Sequence, residues 1–204
     1  MDKEIFDAFL KESETLLEGI RQAAWELHES VGQTYDKILP YGHHLSMVAD
    51  AAMRYGHLVV GDKEDIVPVV FGAYFHDSIE DARLTYNDVV REAGKFMSPG
   101  QARTAAEIAY ALTNDKGRTR QERAGEHYYQ GIRETPYAPF VKLCDRLANM
   151  TYSFKGTNEA NRHMREVYQR EWPHFIGAIR VMGDDLRFSL PQEMIEAVEA
   201  LFCE

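Results

Sequence analysis

The sequence predicts an all-α protein, and three observations carry that expectation. Apolar residues recur at three- to four-residue spacing through most of the chain. No run alternates apolar and polar residues over the length of a strand. Helix-start signatures sit where the stripes begin: Thr85 with Asp88, Ser98 with Pro99, and Ser189 with Pro191 and Gln192. A bundle of about eight to ten helices is expected.

Each element can be argued in turn. Ile5, Phe6, Phe9, Leu10, Leu16, Leu17, Ile20, Ala24 and Leu27 form one stripe, predicting a first helix that runs to about residue 28. Leu45, Val48, Ala49, Ala52 and Met53 predict a second over about 41–55. Asp62 or Asp65 can cap a third, with Pro68 tolerated in its first turn, running through VVFGAYFHDSIED. Apolar on every side as far as His76, it belongs at the centre of the fold. Thr85 and Asp88 cap a short helix to about residue 93, and Ser98-Pro99 opens another that carries Ala105, Ile108, Ala109 and Leu112. A polar helix is expected near 119–134. Pro139 introduces PFVKLCDRLANM, with Phe140, Leu143, Leu147 and Met150 on one face. Met164, Val167, Tyr168, Phe175, Ile176 and Ile179 mark a long helix, kinked or split at Pro173. The last helix opens at SLPQ, with Ser189 as N-cap, Pro191 as first residue and Gln192 as reciprocal capping partner.

Composition bounds the function. At 204 residues and 45% apolar, the chain reads as one domain over 1–204 with its own core. The acidic, amphipathic N-terminus is neither a secretory signal nor a transit peptide, and no apolar run approaches a membrane span, so a soluble, cytoplasmic protein is expected. Cys144 and Cys203 are too few and too distant for a disulfide framework or a thiolate zinc site. A formal net charge of −10 argues against a duplex nucleic-acid surface, which needs a concentrated basic patch. An anionic substrate must then be met locally, by a metal ion or a few clustered Lys and Arg.

The most informative stretch is FHDSIED, residues 75–81. On a helix, His76 pairs with Glu80 and Asp77 with Asp81 at i, i+4 spacing, so four metal-binding or proton-moving groups share one side. An isolated His-Asp dipeptide is weak evidence, and a helix end with its acids in water is the bland reading. Carboxylates at a helix C-terminus oppose the macrodipole, however, and these follow the most apolar run in the chain. The histidine pair of YGHHLSMVAD and the acid of VKLCDRLANM also lie in largely apolar helices. Together with His76 and Asp77 they offer a mixed nitrogen and oxygen site suited to manganese, iron, zinc or magnesium.

These pieces resemble the HD-superfamily metal-dependent phosphohydrolases, and most closely the hydrolase domain of the RelA/SpoT-type alarmone enzymes and their small stand-alone relatives. The matching segments are HESVGQTYDKILPYGHHLSMVA, FGAYFHDSIEDARLTYNDV, ALTND and VKLCDRLANM, over about 28–150, with a weaker echo in REVYQREWPHF; helices over 158–203 pack on that core. The resemblance implies His44, His76, Asp77 and Asp145 as metal ligands, with His43 pointing elsewhere because Pro40, Tyr41 and His44 match the family's proline-tyrosine-x-x-histidine pattern. It implies Glu80 and Asp81 as the pair that orients or deprotonates the attacking water. Asn149, one turn after Asp145, shares its face. Manganese is the implied cofactor, with iron, zinc and magnesium as alternatives.

The implied reaction is hydrolysis of a phosphate or pyrophosphate ester of a nucleotide, most like the 3′-pyrophosphohydrolysis of guanosine 3′,5′-bis(diphosphate). Between GQ and PY the family carries a basic pair that lines the nucleotide pocket, whereas GQTYDKILPY offers only Lys37. Lys116, Arg118, Arg120 and Arg123 follow ALTND, where the alarmone enzymes keep phosphate-binding residues. Arg165 and Tyr168, at i, i+3 spacing, fall in the C-terminal echo where substrate contacts are expected. Glu80 suits a general base if an apolar surround lifts its pKa. His28 packs or caps, and His57, His127, His163 and His174 read as surface or structural. Two other functions fit the same residues: a nucleotidase or other phosphomonoesterase of the superfamily, and a non-catalytic helical binding module.

Overall fold

The structure, a computed structural model, describes residues 1–203, with the backbone alone for residue 121. Eleven α-helical segments carry the described chain: α1 Lys3–Glu12, α2 Glu14–Ser30, α3 Gly42–Tyr55, α4 Ile66–Phe75, α5 Tyr86–Ala93, α6 Pro99–Ala111, α7 Arg120–Arg123, α8 Glu126–Glu134, α9 Ala138–Lys155, α10 Glu159–Ile179 and α11 Gln192–Ala200. A two-residue ladder pairs β1, Thr34–Tyr35, antiparallel with β2, Leu39–Pro40. Two residues per strand are too few to show alternation, which is why the sequence does not announce this hairpin.

All ten residues of α4 are buried, and α2, α3, α6 and α9 pack around it. Buried side chains from Phe6 to Val198 form one connected hydrophobic cluster. Removing that apolar surface from water is the main stabilising term, roughly 25 cal/mol per Å². No helix among the described residues is long and apolar enough to cross a membrane.

The expected bundle is present, and its eleven segments arise because two expected helices are each broken in two. The first divides at Ser13, which ends α1 and precedes α2. The break lets α1 aim Phe6 at Gly56, where a Cβ would stand 2.6 Å from the Phe6 ring, while Leu17, Ile20 and Ala24 of α2 face the core. The polar helix near 119–134 divides at Ala124 and Gly125 into α7 and α8.

Three further boundaries differ. Pro173 sits inside an unsplit α10, at an exposed position where water can meet the carbonyl it leaves without a partner. The SLPQ capping box is absent: Ser189 Oγ donates to the Leu186 carbonyl at 2.8 Å, and Pro191 is the N-cap without a side-chain bond. The helix expected through Asp81 stops at Phe75, and residues 76–81 form turns, with Asp81 N–H donating to the Asp77 carbonyl at 2.8 Å. Four polar groups follow ten buried apolar residues, and a turn splays them where a continued helix would bury them. The boxes at Thr85 with Asp88 and Ser98 with Gln101 both form.

One contact seats the start of α3. Trp25 lies against Gly42 so closely that a Cβ there would be 2.2 Å from the indole Cδ2, and the indole N–H donates to Ser46 Oγ at 3.2 Å. Glycine alone permits this approach of α2, which fixes the turn that carries His44.

Candidate metal centre and active site

Three helices deliver one cluster. The first turn of α3 supplies His44, the turn after α4 supplies His76 and Asp77, and the middle of α9 supplies Asp145. His44 and His76 bring their Nε2 atoms within 3.3 Å of each other, and both rings are buried. Asp145 Oδ1 lies 3.4 Å from His44 Nε2 and 3.9 Å from His76 Nε2. Asp77 Oδ2 lies 2.9 Å from His76 Nε2 and 3.6 Å from His44 Nε2. The donor atoms of His44, His76 and Asp145 all fall within 4.8 Å of one another.

These residues fit a divalent ion. Ligands about 2.1 Å from a common centre stand roughly 3 to 4.2 Å apart. His76 Nδ1 contacts the Ala73 carbonyl at 2.8 Å, which assigns its hydrogen to Nδ1 and leaves the Nε2 lone pair facing the cluster. That lone pair meets a carboxylate oxygen and a second imidazole nitrogen, an arrangement only a proton or a cation makes favourable. Burial lowers the His44 pKa, but hydrogen bonds to Asp145 and Asp77 outweigh it and hold it up to about 9. The cluster therefore attracts positive charge.

The surrounding groups orient the side chains of the cluster. Lys142 Nζ donates to Asp145 Oδ2 at 2.9 Å, leaving Oδ1 for the histidines. Asn149 Nδ2 also donates to Asp145 Oδ1, and Tyr35 Oη donates to Asn149 Oδ1 at 3.0 Å. The Tyr35 ring stacks on His44, centroids 5.0 Å apart. Against burial, Lys142 and the histidines hold the Asp145 carboxyl well below the usual range. Tyr41 Oη contacts Asp77 Oδ2 and, at 2.9 Å, Asp81 Oδ2. A hydroxyl has one hydrogen for two carboxylates. Burial and the neighbouring Asp77 push the Asp81 pKa up.

Glu80 does not pair with His76, because the helix that would align them has ended. It is exposed, and Asn114 Nδ2 donates to its two oxygens at 2.8 and 3.1 Å. The apolar surround expected for Glu80 is absent: its neighbours are polar and solvent-facing.

The cluster opens into a cavity of about 850 Å³. His44, Asp77, Glu80, Asp81, Asp145, Asn149, Arg123 and Tyr168 all line it. His76, Lys37, Lys116 and Arg165 do not; His76 is buried, against His44 and Asp77. Lys37 is exposed at the hairpin tip, where Asp36 and Lys37 both take positive φ, at 51° and 64°. Lys116 is exposed in the loop before α7. Arg165 donates to the carbonyls of Ser153, at 2.8 Å, and Gly156, tying down the end of α9 instead of pairing with Tyr168. His174, read as surface or structural, lines the cavity.

Sequence reasoning passed over Tyr35, Lys142, Arg146, Asn114, Arg170 and Glu171, which also line the cavity. The i, i+3 spacing of Lys142 to Asp145 was the one signal available for them. Lys142, Arg120, Arg123, Arg146 and Arg170 make the basic wall that an anionic substrate needs in a chain of net charge −10.

A scan against protein-family models and a search of curated proteins find no match. Among solved structures, one described as a metazoan ortholog of SpoT that hydrolyses ppGpp and plays a role in starvation responses superposes with a TM-score of 0.60. The identity is 18%, over 92% of this chain and 94% of that one. At that identity the likeness is one of fold, an all-α bundle as the sequence predicts.

Proposed function

We propose that the chain is an HD-type, metal-dependent phosphohydrolase acting on a phosphate or pyrophosphate ester of a nucleotide, with guanosine 3′,5′-bis(diphosphate) the leading substrate. One observation carries the reading: His44, His76 and Asp145 bring their donor atoms within 4.8 Å of one another, Asp77 lies against both imidazoles, and His44, Asp77 and Asp145 open onto a cavity that has a basic wall. His44, His76, Asp77 and Asp145 are the residues proposed to hold the ion, with manganese first among the candidates. A divalent ion bound there supplies Lewis-acid polarisation of a phosphoryl oxygen and acidification of a water. The solved neighbour hydrolyses ppGpp, which supports that nucleotide as the first to test.

The chain's own groups then have separable tasks. Lys142 and Asn149 hold Asp145, while Tyr41, which also contacts Asp81, holds Asp77. Glu80, kept in place by Asn114 at the cavity edge, accepts the proton of the attacking water as its oxygen bonds to phosphorus and the bond to the leaving oxygen breaks. Positive charge from the basic wall meets the phosphate oxygens.

A nucleotidase of the same fold would share every ligand and differ in the wall. Turnover of guanosine tetraphosphate, NADPH and deoxynucleoside monophosphates by the manganese-loaded protein separates the two. Release of pyrophosphate from the tetraphosphate, abolished in His76→Ala and Asp77→Ala, is the expected result. Turnover of monophosphates alone favours the nucleotidase, and no turnover with full retention of metal favours a binding module.

A further inference from the structure

Within the basic wall, two arginines are already occupied. Arg120 Nε and Nη2 donate to the two carboxylate oxygens of Glu171 at 2.9 and 3.0 Å, and Arg146 Nη1 donates to Glu171 Oε2 at 3.1 Å. All three side chains line the cavity that contains the metal cluster. Arg146 is buried, its guanidinium 4.8 Å from the Tyr168 ring centre and 4.2 Å from that of Phe175. It is adjacent in sequence to Asp145, so its position is fixed relative to the cluster.

A planar carboxylate held by two guanidinium groups has the charge and hydrogen-bonding pattern of a bound phosphate oxygen pair. Its hold is modest. The Arg120 and Glu171 side chains are 51% and 30% exposed, and an ion pair that open to water contributes little net stability. A phosphate group brings more charge and a third oxygen, so exchanging one anion for the other costs little. The rigid partner, Arg146 on its aromatic platform, stays in place during the exchange.

We propose that Glu171 is a resident carboxylate on an anion subsite built by Arg120 and Arg146, and that a second phosphate group of the substrate displaces it. The subsite selects substrates that carry an anionic group besides the one undergoing reaction, and Glu171 sets the threshold by competing with weaker anions. The substrate half of this inference rests on the phosphohydrolase reading; the displaceable carboxylate does not.

The test reads binding and turnover separately. Metal-stripped protein is titrated calorimetrically with inorganic pyrophosphate. Glu171→Gln, which keeps shape and removes the charge, is expected to bind about threefold or more tightly than the native protein, the scale of a partly exposed ion pair. Arg120→Ala and Arg146→Lys are expected to bind at least about tenfold more weakly, the loss of a charge-assisted bidentate contact. If Glu171 merely positions the arginines, Glu171→Gln binds more weakly, and that result, or equal affinity, overturns the proposal. Arg120 is exposed, so its substitution does not endanger folding, and native affinity in Arg120→Ala also overturns it. Tighter binding in Glu171→Gln with no hydrolysis of any nucleotide leaves the subsite standing and removes the phosphohydrolase reading. Hydrolysis with unchanged or weaker binding does the reverse.

Discussion

His44 and His76 face each other through their Nε2 atoms at 3.3 Å, inside a buried site that also holds the carboxylates of Asp77 and Asp145. Two lone pairs and two negative charges so close repel one another unless a positive charge sits among them. We expect the metal-free protein to gain stability from added manganese. At an ion concentration about a hundredfold above Kd the gain is about 2.7 kcal/mol, or roughly 5–10 °C in Tm for a chain of this length. His76→Ala and Asp145→Asn should lose both the shift and the bound metal. Equal shifts in the variants, followed by thermal unfolding and elemental analysis, would place the ion elsewhere.

His28 gives an acid-side signature separate from the four residues proposed to hold the ion. Its ring is buried, stacked on Tyr41 with centroids 4.7 Å apart, and neither ring nitrogen has a hydrogen-bond partner. Burial lowers its pKa to about 4, from the 6.5 usual for histidine. The folded state therefore refuses a proton that the unfolded chain accepts. Its contribution to stability is complete above about pH 6.5 and is lost as pH falls toward 4, a loss of about 2 kcal/mol between pH 7.5 and pH 5. His28→Phe keeps the stacked ring and cannot titrate, so it should flatten this part of the slope. Urea unfolding of both proteins at the two pH values measures the difference, and parallel slopes would refute the assignment.

What the sequence disclosed about this site follows from the physics of each signal. The candidate cluster was legible because His and Asp embedded in apolar helices are costly unless paired, so FHDSIED, YGHHLSMVAD and VKLCDRLANM stand out. The central burial of α4 was legible because ten consecutive apolar residues leave no wet face. The end of α4 at Phe75 was not, since a turn that keeps His76 in helical dihedrals leaves no mark on periodicity. The basic wall was half legible. Arg123 was anticipated, but Arg146 and Glu171 enter through the packing of α9 against α10, a relation between segments whose register no local pattern encodes. Lys37 was assigned by chain position alone, and the left-handed hairpin tip leaves it outside the cavity.

Asn149 should act on the ion through Asp145. It donates to both the backbone and the side-chain oxygen of Asp145, and Tyr35 Oη in turn fixes the amide. Asn149→Ala frees the Asp145 carboxylate to rotate, and we expect manganese affinity to fall by about 10- to 100-fold, the usual effect of removing an outer partner of a ligand. Tyr35→Phe removes only the outermost bond and should cost less than Asn149→Ala. A metal titration of the three proteins checks the order. Native affinity in Asn149→Ala would make Asn149 a substrate contact or a spectator.

Glu80 and Asn114 can be separated by where each variant acts. Glu80 is exposed at the cavity edge, and neither residue touches His44, His76 or Asp145, so neither substitution should change metal content. Glu80→Gln keeps the partner for Asn114 but cannot accept a proton. If Glu80 is the general base, kcat falls by about 10²- to 10⁴-fold while KM stays near the native value. Asn114→Ala leaves the base intact and unaligned, so its loss in kcat should be smaller. If the missing step is proton acceptance by this side chain, raising pH recovers part of the Glu80→Gln deficit, because hydroxide replaces the assisted water and needs no acceptor. A deficit of the same size at every pH would instead show that Glu80 acts by position or charge and does not take the proton. Both variants therefore need a pH profile of kcat, measured with the nucleotide that the native enzyme turns over fastest.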